Sequence, residues 1–414
     1  MSLRTYHDPL HHSITLDKKK PEENLIINLI ESSPFQRLRR IRQLGPASFV
    51  FHGAESSRFT HSLGVFQIAR RAYEKLVKIE PSLKKKVHIL YVSSLLHDLG
   101  HGPLSHTSEG IFNINHECWT AKIIKEHPLI KEELENYEKG ASDEISNLIK
   151  GKETSVKSIK SLVSSQLDCD RLDYLLRDSY STGTKYGFLD LDRILNALTI
   201  TSYGEIAIKP KGIIAIEHYL VMRNMMYRSV YNHRINEIAN WLLEKIFETA
   251  KNIGPDNLWV DHYLKKWMWH KNEIDLETFL AADDNMLYYH LFRWKEGSNL
   301  ELSRLCKRFL DRDLFKAIDI ELLSNENQLK ALAIARKLTN KYGLDPNNHC
   351  GIRKQLLHGY YPYKGGLRVW DGEKIDALEN VSNLVRSLIN PEKSTWLIHE
   401  KIIHKELKKE IDLF

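Results

Sequence analysis

The segment His97-Asp98-Leu99-Gly100-His101-Gly102-Pro103 decides how the rest of this chain is interpreted. Its adjacent histidine and aspartate can give one imidazole nitrogen and one carboxylate oxygen to the same divalent ion. The apolar run before it, residues 89–96, predicts a buried helix, which the glycines and the proline of the segment would end. If the helix continued, His101 would lie one turn beyond His97 on the same face. The pattern indicates an active site at the end of a buried helix.

Four residues from three segments would form a metal site. His61 lies upstream, in Arg58-Phe59-Thr60-His61-Ser62-Leu63-Gly64, and Asp170 lies downstream, in Asp168-Cys169-Asp170-Arg171. With His97 and Asp98 they complete the order His…His-Asp…Asp. An adjacent His-Asp pair alone is weak evidence, because such short motifs often arise by chance. Two histidines and two aspartates suit Mn, Mg, Fe, Zn or Ni, so the sequence predicts a divalent metal ion without identifying it.

The blocks around these residues are similar to a known family. The chain resembles the HD-domain metal-dependent phosphohydrolases, and within them the deoxynucleoside triphosphate triphosphohydrolases. The resemblance is strongest from about residue 33 to residue 233 and rests on five blocks in the family's order, which are residues 34–45, 58–64, 97–106, 168–178 and 223–234. It implies a mostly α fold, with an HD-domain helical core, small β-hairpin elements and a mixed C-terminal accessory lobe.

The resemblance also implies a set of acid-base groups. His116 occupies the position of the catalytic histidine, and His101 and His106 would contact the phosphates. Glu109 stands where relatives often have the shorter aspartate. Histidine suits proton transfer because its unperturbed pKa, about 6.5, lies near neutral pH.

The predicted substrate-binding residues come from four of the five blocks, and the resemblance implies most of their roles. Gln43 and Leu44 would lie near the sugar 3′-hydroxyl, and Arg58 would lie near the α-phosphate. Arg223 would contact phosphate and Tyr231 would pack against the deoxyribose, while Asn232 replaces a glutamine of the relatives. Arg171 flanks a predicted metal ligand, and Tyr174 and Asp178 share a helix face with Asp170 because the three are spaced by four.

Structural explanations exist for several of these residues. Leu44 could equally be a core residue, and the spacing of Arg223, Tyr227 and Tyr231 also fits simple helix packing. The four-residue spacing after Asp170 also occurs on surface helices with polar pairs. His11 and His12 are predicted to be loop or surface residues.

Helical periodicity dominates the chain, and it predicts continuous helices over residues 158–178 and 213–250. Two short strand signals, at residues 198–201 and 205–209, flank Ser202-Tyr203-Gly204 and predict a hairpin. We expect an HD phosphohydrolase core over residues 1–290 and an accessory or oligomerisation lobe over residues 291–414. This boundary rests only on a change in the character of the sequence near residue 290, because no obvious linker marks it.

Composition favours a cytoplasmic enzyme. The chain has 414 residues, of which 42% are hydrophobic, enough for a large core. Its four cysteines are scattered, and no apolar run approaches 20 residues, so we expect no membrane span. The net charge of +6 makes nucleic-acid binding possible. The lysines form short dispersed runs, which does not indicate such binding.

The predicted activity follows from the resemblance: metal-dependent hydrolysis of deoxynucleoside triphosphates to deoxynucleoside and tripolyphosphate. Three alternatives stay open. These are another HD phosphohydrolase (a nucleotidase, or a phosphodiesterase of cyclic dinucleotides or guanosine polyphosphates), a nucleic-acid-binding nuclease, and a regulatory scaffold. The blocks at residues 168–178 and 223–234 argue against a minimal HD enzyme, and the complete metal-ligand set argues against an inactive site. The resemblance also implies a homo-oligomer, either a dimer or a tetramer.

Overall fold

The apolar run before the His-Asp pair lies in a helix, Val87–Leu96, whose residues are all buried. The computed structural model describes residues 2–152, 156–362 and 366–413. A helix that is apolar on every side must be covered by other elements, and this one packs against Arg58–Leu76 and several shorter helices. It ends at Leu96, earlier than the glycines predict, and residues 97–100 form a turn. His97 and Asp98 therefore stand at its C-terminal end.

The described residues form 22 α-helices and nine strands. The helices of the first half are α1 Pro21–Glu31, α2 Ser33–Arg37, α3 Arg58–Leu76, α4 Val87–Leu96, α5 His106–Phe112, α6 His116–Glu126, α7 Pro128–Tyr137, α8 Ala141–Ile149, α9 Lys157–Val163, α10 Cys169–Thr182, α11 Leu191–Ala197 and α12 Ile213–Met226. The remaining helices are α13 Arg234–Ile253, α14 His262–Trp269, α15 Leu276–Ala281, α16 Asp284–Lys295, α17 Leu300–Leu310, α18 Asn325–Lys341, α19 Pro346–His349, α20 Leu378–Val381, α21 Asn383–Ser387 and α22 His404–Ile411.

The strands form three small sheets. They are β1 Leu3–Asp8, β2 His12–Asp17, β3 Leu198–Ile200, β4 Ile206–Ile208, β5 Lys316–Asp319, β6 Cys350–Leu357, β7 Arg368–Trp370, β8 Ile375–Ala377 and β9 Glu392–His399. β1 and β2 make a hairpin that the sequence did not predict, whereas the predicted hairpin is present as β3 and β4. β4 continues into a sheet of order β3-β4-β7-β8, and the third sheet has the order β5-β9-β6. The predicted mostly helical fold with small sheets is confirmed.

Two predicted helices are interrupted, and both interruptions have a local cause. The segment predicted at residues 158–178 breaks after Val163 because Asp168 caps a new helix: its carboxylate accepts a hydrogen bond from the Arg171 amide at 2.8 Å. The segment predicted at residues 213–250 breaks at His233, whose side chain caps α13. Just before that break, Tyr227–Tyr231 forms a π-helical turn, a feature often found at functional sites.

The close approach of α3 and α10 positions the site. Gly64 lies at their contact, where a Cβ atom would come within 1.9 Å of Asp173 Oδ1 and 2.4 Å of Arg177 Nη2. Only a residue without a side chain leaves room for this carboxylate and guanidinium between the helices.

The apolar core has two parts. A large cluster joins α3, α4, α10 and α13 and extends past residue 290 to Leu302, Leu305 and Phe309 of α17. A smaller cluster, which includes Leu338 and Leu407, lies between the third sheet and the last helices. The lobe boundary at residue 290 stays a prediction.

None of the helices in the described ranges is long and apolar enough to cross a lipid bilayer.

Candidate active site

The four predicted metal ligands meet at one point between three helices. His61 lies in the first turn of α3, His97 and Asp98 follow α4, and Asp170 lies in the first turn of α10. His61 Nε2 is 3.0 Å from Asp170 Oδ1 and 3.6 Å from Asp98 Oδ2. His97 Nε2 is 3.3 Å from Asp98 Oδ1 and 3.7 Å from Asp170 Oδ1. The structure thus brings all four side chains together, and one atom each of His61, His97 and Asp170 could hold a metal ion.

The chemistry of this donor set fits a divalent cation. His97 Nδ1 lies 2.9 Å from the Ser94 carbonyl oxygen, to which it donates, so Nε2 is the free ligand atom. That Nε2 is buried and makes no hydrogen bond within the described residues. Although burial acts in the opposite direction, hydrogen bonds to Asp170 and Asp173 raise the pKa of His61 to about 10. The carboxylates therefore favour a positive charge where a metal ion would replace the proton.

A second layer of side chains holds His61 in place. Its Nδ1 lies 2.8 Å from Asp173 Oδ2, which leaves Nε2 facing the ligand cluster. Arg177 contacts both oxygens of Asp173, at 2.7 and 3.0 Å, and His11 Nε2 lies 2.6 Å from Asp173 Oδ1. Although burial would raise it, the Arg177 guanidinium holds the pKa of Asp173 well below its usual range. Such a carboxylate behind a metal-binding histidine fixes its tautomer and orientation.

His12 is exposed, as predicted. His11 lies in the turn between β1 and β2, so it is a loop residue as predicted, but it is not a surface residue. Its side chain is only 3% exposed because the β1–β2 hairpin brings it to Asp173, 162 residues away in sequence. Asp8 fixes this arrangement, since its carboxylate accepts from the His11 amide and from Arg177 Nη1. Sequence reasoning also assigned no role to Asp173. Its position three residues after Asp170 was the available signal, whereas His11 offered none without the hairpin.

The predicted acid-base residues form a second group beside the first, which we call the histidine cluster: His101, His106, Glu109 and His116. The Glu109 carboxylate bridges two imidazoles, with 2.6 Å to His106 Nδ1 and 2.6 Å to His116 Nδ1. The rings of His101 and His116 stack with centroids 4.1 Å apart. Burial and the neighbouring Arg58 lower the pKa of His101 well below its usual range, so that ring is neutral.

Most of the predicted phosphate and sugar contacts lie on α10, on the end of α12 and on the π-helical turn that follows α12. The Tyr231 hydroxyl donates to Asp178 Oδ2 at 2.9 Å, and the Tyr174 and Tyr231 rings meet edge to face. Arg171 pairs with Asp168, and the Arg223 guanidinium lies 5.6 Å from the Tyr227 ring centroid. Burial raises the pKa of Asp178 to about 7, so this carboxyl readily holds a proton.

Several of these residues bury polar atoms that have no partner in the described part of the chain. They are Gln43 Oε1, Arg171 Nε, Asp178 Oδ1 and both Nε and Nη1 of Arg223. Each such atom costs about 1–3 kcal/mol if nothing pairs with it. Native proteins keep such costs mainly where a ligand or water supplies the partner.

Three other residues predicted to contact the substrate, Arg58, Leu44 and Asn232, lie in three different environments. Arg58 is buried and already engaged, since Nη1 donates to Asp98 Oδ2 at 2.6 Å and Nε donates to Ser105 Oγ at 2.8 Å. Any contact of Arg58 with a phosphate would therefore be made beside Asp98, a predicted metal ligand. Leu44 is half-buried against the large apolar cluster. Asn232 lines a separate cavity of about 1020 Å³, between the start of α13 and the third sheet, which none of the metal ligands lines.

Comparison with known proteins gives two family matches in this region. The family described as HD domain matches residues 58–178, and the HD associated region matches residues 189–258. The first match spans the four predicted metal ligands and the whole histidine cluster.

Most of the chain is similar to curated relatives and to a solved structure. An uncharacterized protein of Bacillus subtilis, YwfO, is 35% identical over 88% of this chain and 82% of its own length. A Dictyostelium discoideum protein named deoxynucleoside triphosphate triphosphohydrolase SAMHD1 homolog is 28% identical over 73% of this chain, and the match spans 58% of that protein. The crystal structure of a phosphohydrolase from Bacteroides thetaiotaomicron superposes with a TM-score of 0.83 at 27% identity, covering 96% of this chain and 100% of that one.

Proposed function

Because the chain belongs to the HD-domain family of metal-dependent phosphohydrolases, we propose that it hydrolyses deoxynucleoside triphosphates to deoxynucleoside and tripolyphosphate. The observation that carries this proposal is the buried, unpartnered polar atoms of Arg171 and Arg223, beside the predicted metal ligands. The buried Arg223 and the half-buried Arg171, both with free donors, suit a polyanion better than a monophosphate. The name of the Dictyostelium relative supports the same substrate class.

The metal ligands would be His61, His97, Asp98 and Asp170. When bound, a divalent ion would supply Lewis-acid polarisation of the phosphate and a lowered pKa for water. Arg58, fixed by Asp98, lies beside this point and offsets phosphate charge. We infer that Arg171 and Arg223 neutralise the rest of the triphosphate.

The chain's own acid-base group would be His116. Its Nδ1 contact with the Glu109 carboxylate fixes the orientation of the ring. In the reaction, water attacks the α-phosphorus, the bond from phosphorus to the 5′-oxygen breaks, and His116 gives a proton to that leaving oxygen. The proton that the attacking water loses passes to solvent, from which His116 is protonated again. The Tyr231–Asp178 pair would hold the deoxyribose, with Asp178 offering a proton donor or an acceptor.

Product analysis tests the reaction. Purified full-length protein with Mn²⁺ or Mg²⁺ and dGTP or dATP is expected to yield deoxynucleoside and tripolyphosphate in equal amounts. Release of orthophosphate, or turnover of monophosphates, cyclic dinucleotides or guanosine tetraphosphate with dNTPs untouched, would overturn the substrate assignment. Cleavage of nucleic acid alone would favour the nuclease alternative.

Two variants separate the roles within the site. His116→Ala is expected to keep nucleotide binding and to lose about 10²–10⁴-fold in kcat, the span for general acid-base groups. Arg223→Ala is expected to weaken nucleotide binding, because it removes a charge-assisted contact. An Arg223→Ala enzyme with unchanged KM and nucleotide Kd would remove this residue from the triphosphate site.

A further inference from the structure

The histidine cluster has the composition of a metal site in its own right. One ligand atom from each of His101, His106, Glu109 and His116 lies within 4.8 Å of the others. We propose that this cluster binds a second divalent transition-metal ion, of the Zn²⁺ or Co²⁺ class, beside the site of His61, His97, Asp98 and Asp170. Three imidazoles and one carboxylate make a four-coordinate donor set that Zn²⁺ accepts and that Mg²⁺ does not prefer.

A buried nitrogen without a partner points independently to a ligand here. His101 is 1% exposed, and its Nδ1 makes no hydrogen bond within the described residues. Its Nε2 already lies 3.3 Å from Asp98 Oδ1, so the ring cannot satisfy Nδ1 by turning over without losing that contact. A metal ion between the imidazoles would supply the missing partner.

The His106 imidazole approaches from a second direction. The His106 ring stands at 88° to His101 and at 77° to His116, whereas those two rings are nearly parallel. Glu109 contacts both His106 and His116, so one carboxylate orients two ligands and offsets part of the charge of an ion. The His106 side chain is 69% exposed, which gives an ion access from solvent.

The two metal sites would share no ligand and would be joined by the His101–Asp98 contact. An ion in the histidine cluster would withdraw His116 from proton transfer, so it would inhibit hydrolysis. This consequence, unlike the binding itself, rests on the proposed function. With Mn²⁺ fixed, added Zn²⁺ is expected to reduce turnover with a midpoint at the dissociation constant of the second site. A midpoint unrelated to that constant would exclude the inhibitory role.

Metal counting on the full chain tests the binding. The protein is stripped with chelator, dialysed against Zn²⁺ alone, and its bound zinc is measured by mass spectrometry. Two ions are expected in the wild type and in the control His262→Ala, whose histidine is exposed and outside both sites. One ion is expected in His106→Ala and one in Asp170→Ala. His106 is a suitable position because truncating an exposed side chain leaves the core intact.

The outcomes distinguish this proposal from the proposed function. Two ions retained in His106→Ala, or one ion in the wild type that Asp170→Ala abolishes, would overturn the second site. One ion that is lost in His106→Ala but kept in Asp170→Ala would uphold the histidine cluster and remove the metal site on which the proposed reaction rests. As a further check, Co²⁺ bound to Asp170→Ala is expected to show the visible absorption of a tetrahedral ion, and the added His106→Ala change is expected to abolish it.

Discussion

At the scale of single residues, Asp178 is a site residue whose ionised carboxylate destabilises the fold, because it is buried. It is 1% exposed, accepts one hydrogen bond from Tyr231 and leaves Oδ1 without a partner among the described residues. Burial raises the pKa of this carboxyl to about 7, whereas an unfolded aspartate has a pKa of about 3.9. The folded chain therefore binds this proton more tightly than the unfolded chain.

The sign of the pH dependence follows from that difference. The stabilisation linked to the proton is fully present below about pH 4 and is lost as pH rises through about 7. Asp178→Asn removes the charge, so we expect it to raise the free energy of unfolding by about 1–3 kcal/mol at pH 8 and by much less at pH 4. Urea unfolding in chelator at both pH values measures this. An equal change at the two pH values would contradict the raised pKa.

At the scale of elements, the packing of α3 on α10 positions the predicted metal ligands His61 and Asp170. A Cβ on Gly64 would overlap Asp173, which orients His61. Gly64→Ala is therefore expected to lower metal affinity about 10–100-fold and to destabilise the fold by about 1–3 kcal/mol, although alanine is the better helix former. Calorimetric metal titration and thermal unfolding measure the two effects.

Gly110 in α5 is the matched control, because a Cβ there would meet nothing within 4 Å. Gly110→Ala is expected to be neutral or slightly stabilising. If Gly64→Ala behaved in the same way, the close approach of the two helices would not be what positions His61.

The β1–β2 hairpin is the second element with an effect on the site. His11→Ala leaves one oxygen of Asp173 without its imidazole partner, so we expect metal affinity to fall by up to about tenfold. His7→Ala, an exposed histidine on the same hairpin, is expected to leave metal affinity unchanged. An identical metal Kd in His11→Ala and wild type would show that the hairpin does not act on the site.

The same elements show what the sequence can and cannot reveal. The predicted ligand set of His61, His97, Asp98 and Asp170 could be found in the sequence, because each residue lies in a block with its own helix signal. The structure brings the four side chains together. The Asp168 cap was readable as a residue type, but the apolar periodicity on both sides of it concealed the break. The contact of His11 with Asp173 could not be predicted, because the two residues are 162 positions apart and no local sequence pattern indicates that they meet.

At the scale of the whole molecule, the C-terminal segment braces the start of α10. The Gln166 side chain, just before the Asp168 cap, donates to the Tyr361 carbonyl at 2.6 Å and accepts from the Tyr361 amide at 2.8 Å. The Tyr219 hydroxyl donates to the Gln166 carbonyl at 2.7 Å, which ties α12 to the same segment. β4 also pairs with β7 across the predicted lobe boundary. The helix that carries the predicted metal ligand Asp170 therefore depends on residues beyond 290.

These contacts predict that residues 1–290 alone fold poorly. Removing α17 takes Leu302, Leu305 and Phe309 out of the core. Burial of each such side chain contributes about 1.5–3 kcal/mol. The loss is comparable with the whole stability of a typical domain, about 5–15 kcal/mol. We expect the 1–290 fragment to lack a cooperative urea transition, and a 1–311 fragment, which keeps α17, to recover part of it. A 1–290 fragment that unfolds at the midpoint of the full chain would establish instead that the core is self-sufficient and that the later residues form an independent lobe.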